Sequence, residues 1–367
     1  MTAVLAKIQS NQQLTPQADK DIFSIELVPL NETHAFDYQP GDWALVSGLN
    51  PDSLVEKVLA LLKIDSKAEV ELKRFGNLPA GKALVESLEI TQLNPAILNK
   101  LQRQFQIGLD RWSDRAAMMD YAQGKDVVDL LEDIPEIQRL GADFLQLLSP
   151  LAPRYYSIAS ANTHDVASSL SPLRLLYRRV EYQSSGRTRL GVVSNWLANQ
   201  PAGKVLTIDI KSNPTFKLPA GKDSPIIMIA SGTGLAPFLG FMEQRVANQA
   251  TDNWLFFGET DPEKTCLHCE KLNAWKNKGF LNVDFAFSRV EPKAYVQDVL
   301  KQNADKVWES WQQGALVYLC GSQDKMAVAV QALWQEWFAE KLNLTETEAE
   351  NYWQQMRREK RIQMDVY

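Results

Sequence analysis

Three segments of the 367-residue chain carry residue types at spacings that can do chemistry. In the first, the apolar run 224–230 leads at once into Gly232-Thr233-Gly234-Leu235-Ala236-Pro237-Phe238. From there Leu235, Phe238, Leu239, Met242 and Val246 lie along one stripe, so a helix begins at the glycines. Glycine lets the backbone approach a ligand closely, and Pro237 suits a first helical turn. The free N–H groups and dipole of a helix start favour a phosphate. The same turn also serves as a plain strand-to-helix connection. Its spacing is not the G-x-G-x-x-G of the dinucleotide fingerprint, because Pro237 stands in place of the third glycine. The second segment is Arg154-Tyr155-Tyr156-Ser157-Ile158-Ala159-Ser160. On a strand Arg154, Tyr156 and Ser160 share a face, with Ser157 at the turn of the pattern. Arginine clamps a phosphate, a tyrosine ring covers a flat heterocycle and serine bonds its edge. A surface strand with a salt bridge has the same look. In the third, Ser288 and Arg289 close an apolar strand with a hydroxyl and a guanidinium, a grip for a phosphate ester. Lys293, Tyr295 and Gln297 follow on alternating positions and can face the same ligand, although a solvated basic loop reads alike.

The elements that position these residues fall into blocks. Residues 1–20 are polar and Gln-rich and read as an extended or frayed lead-in. Phe23, Ile25 and Leu27 then alternate on a half-buried strand, and a Pro-Gly turn leads into a second strand from Trp43. Residues 51–148 read as a helical insertion, starting with Leu54, Val55, Val58, Leu59 and Leu62 at helical spacing. Strand texture returns from Arg154 to about residue 211, and residues 217–223 form a Pro/Gly linker. Beyond it short apolar strands alternate with helices, the rhythm of a parallel sheet with crossover helices. At the end Thr345 and Glu348 form a capping-box pattern, and RIQMDVY alternates, with Ile362, Met364 and Val366 on one side and Asp365 and Tyr367 on the other.

Composition closes off several classes. With 45% hydrophobic residues and a net charge of −6 the chain is neither disordered nor a basic nucleic-acid binder. Three cysteines are too few for a disulfide framework and fit a reducing, cytoplasmic setting. No apolar run reaches the roughly 18 residues of a membrane helix, and MTAVLAKIQS lacks the pattern of a secretory signal. Three histidines make a multi-histidine metal site improbable, and Cys266-Leu-His268-Cys269 has metal-like spacing but no second pair. No metal is expected.

R-x-Y-S-x-x-S followed by strand–G-T-G-x-A-P-F–helix resembles the ferredoxin–NADP reductase superfamily, and within it the diflavin reductases, above all the FAD/NADPH module of sulfite reductase flavoproteins. Further segments resemble that group in order: Gly191 to Leu197, Asn253 to Gly258, Ser288-Arg289, Lys293 to Asp298, Tyr318 to Gly321 and Gln363 to Tyr367. The resemblance implies an antiparallel FAD-binding β-barrel (1–50 and 149–222), a helical connecting subdomain (51–148) and a parallel-sheet NADP-binding α/β domain (223–367). Diflavin reductases carry a flavodoxin-like FMN domain before this region, whereas this chain begins almost directly at the FAD domain. The second electron carrier is then expected to be a separate protein, or to be absent.

By the same resemblance Arg154, Tyr155, Tyr156 and Ser157 bind FAD, and Gly191, Val192, Val193 and Ser194 bring N–H groups to its pyrophosphate; without that context the latter is an ordinary helix start capped by Ser194. Gly232, Thr233 and Gly234 take the NADP pyrophosphate. Ser288, Arg289, Lys293, Tyr295 and Gln297 take the ribose 2′-phosphate. Cys320 borders the nicotinamide, and Tyr367 stacks on the flavin face and moves aside for it. Ser157, Cys320, Asp365 and Tyr367 form the catalytic set. The expected activity is an NADPH-dependent FAD reductase feeding a flavodoxin, FMN-domain or hemoprotein acceptor. Two alternatives stand beside it: a self-sufficient diaphorase or quinone reductase, and an inactive scaffold subunit of a sulfite reductase-like complex.

Overall fold

Phe23, Ile25 and Leu27 are buried in the strand Ile22–Pro29 while Ser24, Glu26 and Val28 are not, a period of two that lays one face on a core. This strand belongs to a six-stranded antiparallel sheet in a computed structural model of the chain, which describes residues 2–31, 36–162 and 172–367. In spatial order the sheet runs Arg154–Ser157, Trp43–Val46, Val205–Lys211, Thr2–Gln13, Ile22–Pro29 and Leu173–Arg178. A bridge between Ile158 and Leu175 links its two ends, so the sheet closes nearly into a barrel.

The lead-in is not frayed. Thr2–Gln13 is a twelve-residue strand paired on both sides, with Ala6 and Ile8 fully buried. Its polar look comes from glutamines near its end, while backbone pairing on two flanks holds it in place. Ser160 also departs from expectation. The Arg154 strand ends at Ser157, and Ser160 lies beyond it, buried, with its Oγ 2.8 Å from the Tyr38 hydroxyl and accepting from the Arg174 N–H.

The second sheet is parallel and five-stranded, in the order Asn282–Phe287, Asn253–Glu259, Ile226–Ser231, Leu316–Gly321, Ile362–Val366. Its central strand Ile226–Ser231 is buried along nearly its whole length, as a strand covered on both faces must be. Helix Ala236–Ala247 covers one face; on the other, Trp334, Trp337 and Phe338 of helix Val328–Leu342 and Trp353 of helix Glu346–Arg358 fill a second core. The Thr345–Glu348 capping box is present at the start of the latter helix.

Contacts divide the chain into two compact units, residues 1–45, 155–178 and 201–367 forming one and residues 46–154 with 179–200 the other. The second unit holds the helical segment, including Ala96–Phe105, Arg115–Ala122 and Val127–Asp133, around a core of Val58, Leu84, Leu98, Leu130 and Phe144. It also contains two hairpins, Glu69–Leu72 with Gly76–Pro79 and Glu181–Ser184 with Arg187–Leu190. The first of these departs from the all-helical reading of residues 51–148, because its strands are four residues each, too short for alternation to register.

Candidate active site

In the first unit the barrel and the parallel sheet bring their strand ends to one place. Ser157 is the last residue of the strand Arg154–Ser157, and its Oγ donates to Asp365 Oδ2 at 2.6 Å. Trp43 Nε1 donates to Asp365 Oδ1 at 3.1 Å. Asp365 is carried there by the C-terminal strand, which runs parallel to Leu316–Gly321 with Asp365 opposite Cys320. Burial pushes the Asp365 carboxyl upward, against the pull of the Ser157 and Trp43 hydrogen bonds. Cys320 is fully buried, and burial together with the Asp365 charge holds its thiol well above the ordinary range. It is therefore a neutral S–H at physiological pH, packed in the core and not a nucleophile.

Tyr367 continues the strand. Its N–H donates to Gly321 O and its own carbonyl accepts from Gln323 N–H, both at 3.0 Å, so the terminus is fixed. The Tyr367 ring is 64% exposed while its hydroxyl lies 2.7 Å from Thr233 Oγ1. The last aromatic of the chain thus reaches across to the glycine turn.

The two glycines of that turn have different reasons. Gly232 has φ +55° and open space where a side chain would stand, so its backbone is bare toward solvent. Gly234 has no such freedom, since a Cβ there would sit on the Cys320 carbonyl oxygen. Gly232–Leu235 form a 3-10 turn and the α-helix begins at Ala236, with Pro237 in its first turn, as the missing proline N–H allows. A bare glycine backbone running into an apolar twelve-residue helix fits a pyrophosphate.

Ser288 and Arg289 follow directly on the strand Asn282–Phe287. Ser288 N–H donates to Glu259 O at 3.0 Å and Arg289 N–H to Thr260 O at 2.9 Å, which pins both to the neighbouring strand end. The Arg289 guanidinium pairs with Asp19, and Lys293 Nζ lies 3.7 Å from Glu291. The expected strand alternation through Lys293, Tyr295 and Gln297 is corrected. The strand ends at Phe287, Tyr295 is the N-cap of helix Val296–Gln302, and Gln297 lies in that helix's first turn. Tyr295 is exposed. Around Tyr155 and Tyr156 the strand sorts the rings to opposite sides. Tyr155 is exposed, edge-on to Trp43 with Lys211 Nζ over its ring, and Tyr156 stands edge-on to Tyr177.

In the second unit Arg154 Nη2 lies 3.5 Å from Glu89 and its Nη1 donates to Ala152 O. Gly191 precedes helix Val192–Ala198, and a Cβ on it would meet Ser194 Oγ and Val180 Cβ at 2.9 Å. Ser194 does not cap this helix: its Oγ accepts from Val180 N–H at 3.1 Å and donates back to Gly191 O. The first-turn amides of Val192, Val193 and Ser194 are left without internal partners, as at any helix start. The hairpin leading into Gly191 is held by Arg187 and Arg189 against Asp126 and Asp129. All four contacts are charged, and Arg189 is buried.

Sequence reasoning missed Trp43, Asp19, Glu259 and this Arg–Asp cluster. Glu259 ends the strand that follows the glycine turn. It is buried, one of its oxygens lacks a partner, and burial pushes its carboxyl up to about 7. An acidic residue closing the strand after a glycine turn is itself a signal worth reading. Cys266 and Cys269 are bonded to each other as a disulfide, against the expectation of free thiols. Among the described residues no group of three or more His, Cys, Asp or Glu is placed to hold a metal ion, and no helix is long and apolar enough to cross a membrane.

A family model described as FAD binding domain matches residues 2–196, more than half of the chain. The chain belongs to this FAD-binding family. A second model, described as oxidoreductase NAD-binding domain, matches residues 228–332. These two domains support FAD and a nicotinamide dinucleotide as the cofactors. Among curated proteins, the sulfite reductase [NADPH] flavoprotein alpha-component of Neisseria meningitidis serogroup B is 36% identical over 370 residues. That of Mannheimia succiniciproducens is 36% identical over 374 residues, and that of Yersinia enterocolitica 34% over 371. Each alignment covers 99% of this chain and 60% of the relative, so the chain spans about 60% of the length of the relatives it matches.

Proposed function

We propose that the protein oxidises NADPH at FAD and passes the electrons to a separate redox protein, of the flavodoxin or FMN-domain type or the sulfite reductase hemoprotein type. The observation that carries this reading is the meeting of Ser157, from the barrel, with Asp365, from the last strand of the parallel sheet, at 2.6 Å and in register with Cys320. The names of the relatives, sulfite reductase [NADPH] flavoproteins, support the same reading.

When bound, the two cofactors supply the hydride transfer and the later release of single electrons. The chain supplies binding and orientation. Arg154 and the amides of Gly191 to Ser194 would hold the FAD pyrophosphate, and the half-buried Gly232 backbone, with open space at its Cβ position, together with Thr233 and Gly234 would hold that of NADPH. Ser288, Arg289 and Lys293 hold the 2′-phosphate, each charged hydrogen bond being worth about 1.5–3 kcal/mol. Tyr295 and Gln297 line the same end, and Tyr156 would cover one face of the flavin, with Tyr155 on the opposite side of the strand. Asp365 keeps the Ser157 hydroxyl aimed and, where buried, favours positive charge developing beside it. Tyr367 covers the place of the nicotinamide and swings away by breaking its bond to Thr233. A cytoplasmic location belongs to the same proposal.

The test is steady-state turnover of the FAD-loaded protein with NADPH, using a purified flavodoxin in one arm and a small quinone in the other. Saturable turnover with flavodoxin that weakens with added salt is expected. Turnover confined to the quinone contradicts the protein acceptor, and equal use of NADH contradicts the 2′-phosphate role.

A further inference from the structure

We propose that Asp19 is a specificity-determining residue, occupying Arg289 whenever no 2′-phosphate is there and competing with it when one arrives. The proposal rests on the reading of Arg289 as a 2′-phosphate ligand. Asp19 and Arg289 are 270 positions apart, yet their side chains form an ion pair.

Neither partner hangs from a loose segment. The turn that carries Asp19 is tied at its base: Leu14 N–H donates to Ile22 O at 2.7 Å, and Ala18 N–H to Thr15 O at 3.2 Å. Buried Thr15 locks the turn from inside, its Oγ1 donating to Lys20 O at 2.5 Å and accepting from Ile22 N–H at 2.9 Å. On the other side the Arg289 backbone is fixed to Thr260 O. Two anchored backbones therefore present two exposed side chains to each other, 57% exposed for Arg289 and 76% for Asp19. The second cation of the cradle, Lys293, is likewise paired with a carboxylate, Glu291. The cradle is thus internally neutralised.

The consequence is competition for one guanidinium. A 2′-phosphate brings more charge than a carboxylate and three acceptor oxygens, and displaces Asp19. A nucleotide without that phosphate leaves the pair undisturbed. Apparent affinity is reduced by the fraction of Arg289 that Asp19 holds. An exposed ion pair shifts such an equilibrium by about two- to fivefold. Asp19 thereby tempers the preference for the phosphorylated nucleotide.

The experiment titrates the full FAD-loaded chain with adenosine 2′,5′-bisphosphate and, separately, with 5′-ADP. Asp19→Asn should tighten the 2′-phosphorylated probe about two- to fivefold and leave 5′-ADP unchanged, with the gain shrinking at high salt. Asp19→Glu should restore the wild-type value, and the gain should vanish in an Arg289→Ala background. No tightening by Asp19→Asn, or equal tightening for both probes, overturns the proposal while leaving the 2′-phosphate reading intact, provided Arg289→Ala alone still weakens only the 2′-phosphorylated probe. If Arg289→Ala weakens both probes alike, that reading fails and the proposal with it.

Discussion

Replacing Asp365 by Asn changes one atom and removes a charge from the point where the two sheets meet. In the native protein the carboxylate accepts from Ser157 Oγ at 2.6 Å and from Trp43 Nε1 at 3.1 Å. An amide can keep its oxygen toward the indole N–H and turn its NH2 toward Ser157 Oγ, but the serine hydroxyl then accepts, and its charge-assisted donation to a carboxylate is lost. A hydrogen bond to a charged group is worth about 1.5–3 kcal/mol, and 1.36 kcal/mol is tenfold in rate. If Asp365 acts on the hydride step, flavin reduction in the variant slows by about 10- to 150-fold. The assay is rapid mixing of the FAD-loaded variant with saturating NADPH, following loss of visible flavin absorbance. A melting curve alongside separates the effect from unfolding. Because burial holds the carboxyl above its ordinary range, the acid limb of the wild-type rate profile should lie above the usual carboxylate range and disappear in Asp365→Asn. A reduction rate within about twofold of wild type, with the same pH profile, refutes the reasoning.

Other expectations follow from the same geometry. The Glu259 carboxyl keeps its proton up to about pH 7 when folded, against a reference of 4.5; its contribution to stability is thus full below pH 4.5 and lost as the pH rises to 7. Glu259→Gln should remove that slope and be more stable than wild type at pH 8, by on the order of 2–3 kcal/mol at most, and parallel denaturation midpoints across this window would refute it. Arg189→Ala leaves Asp126 and Asp129 short of a cation in a buried cluster, which should cost about 3–5 kcal/mol and weaken FAD retention; unchanged melting and FAD affinity would contradict this. Tyr367→Ala removes the ring and its bond to Thr233, so nicotinamide affinity should rise and NADPH/NADH discrimination fall, checked by titration with both nucleotides.

Much of the site was legible because its signals are local. The glycine turn announces itself by composition and by the change from apolar strand to helical stripe. The terminal strand betrays itself by alternation, which placed Ile362, Met364 and Val366 on the core side, where they pack. What stayed hidden depends on which strands become neighbours. Trp43 reaches Asp365 across 322 positions and Asp19 reaches Arg289 across 270, and no window of sequence contains either pair. The reason for Gly234 was hidden in the same way: the turn asked for a glycine, but the backbone of Cys320, one strand over, is what excludes a side chain. Strand Thr2–Gln13 was obscured by composition, since pairing on both flanks holds residues whose side chains signal little. Alternation was also carried too far past Phe287, where capping by Tyr295 and Asp298 starts a helix.

The most direct measurement is an anaerobic titration of the FAD-loaded protein with NADPH, monitored by flavin absorbance. The yellow colour should bleach with about one NADPH per flavin, and NADH at the same concentration should bleach it far less. A protein that retains no FAD, or whose bound flavin stays oxidised under excess NADPH, would contradict it.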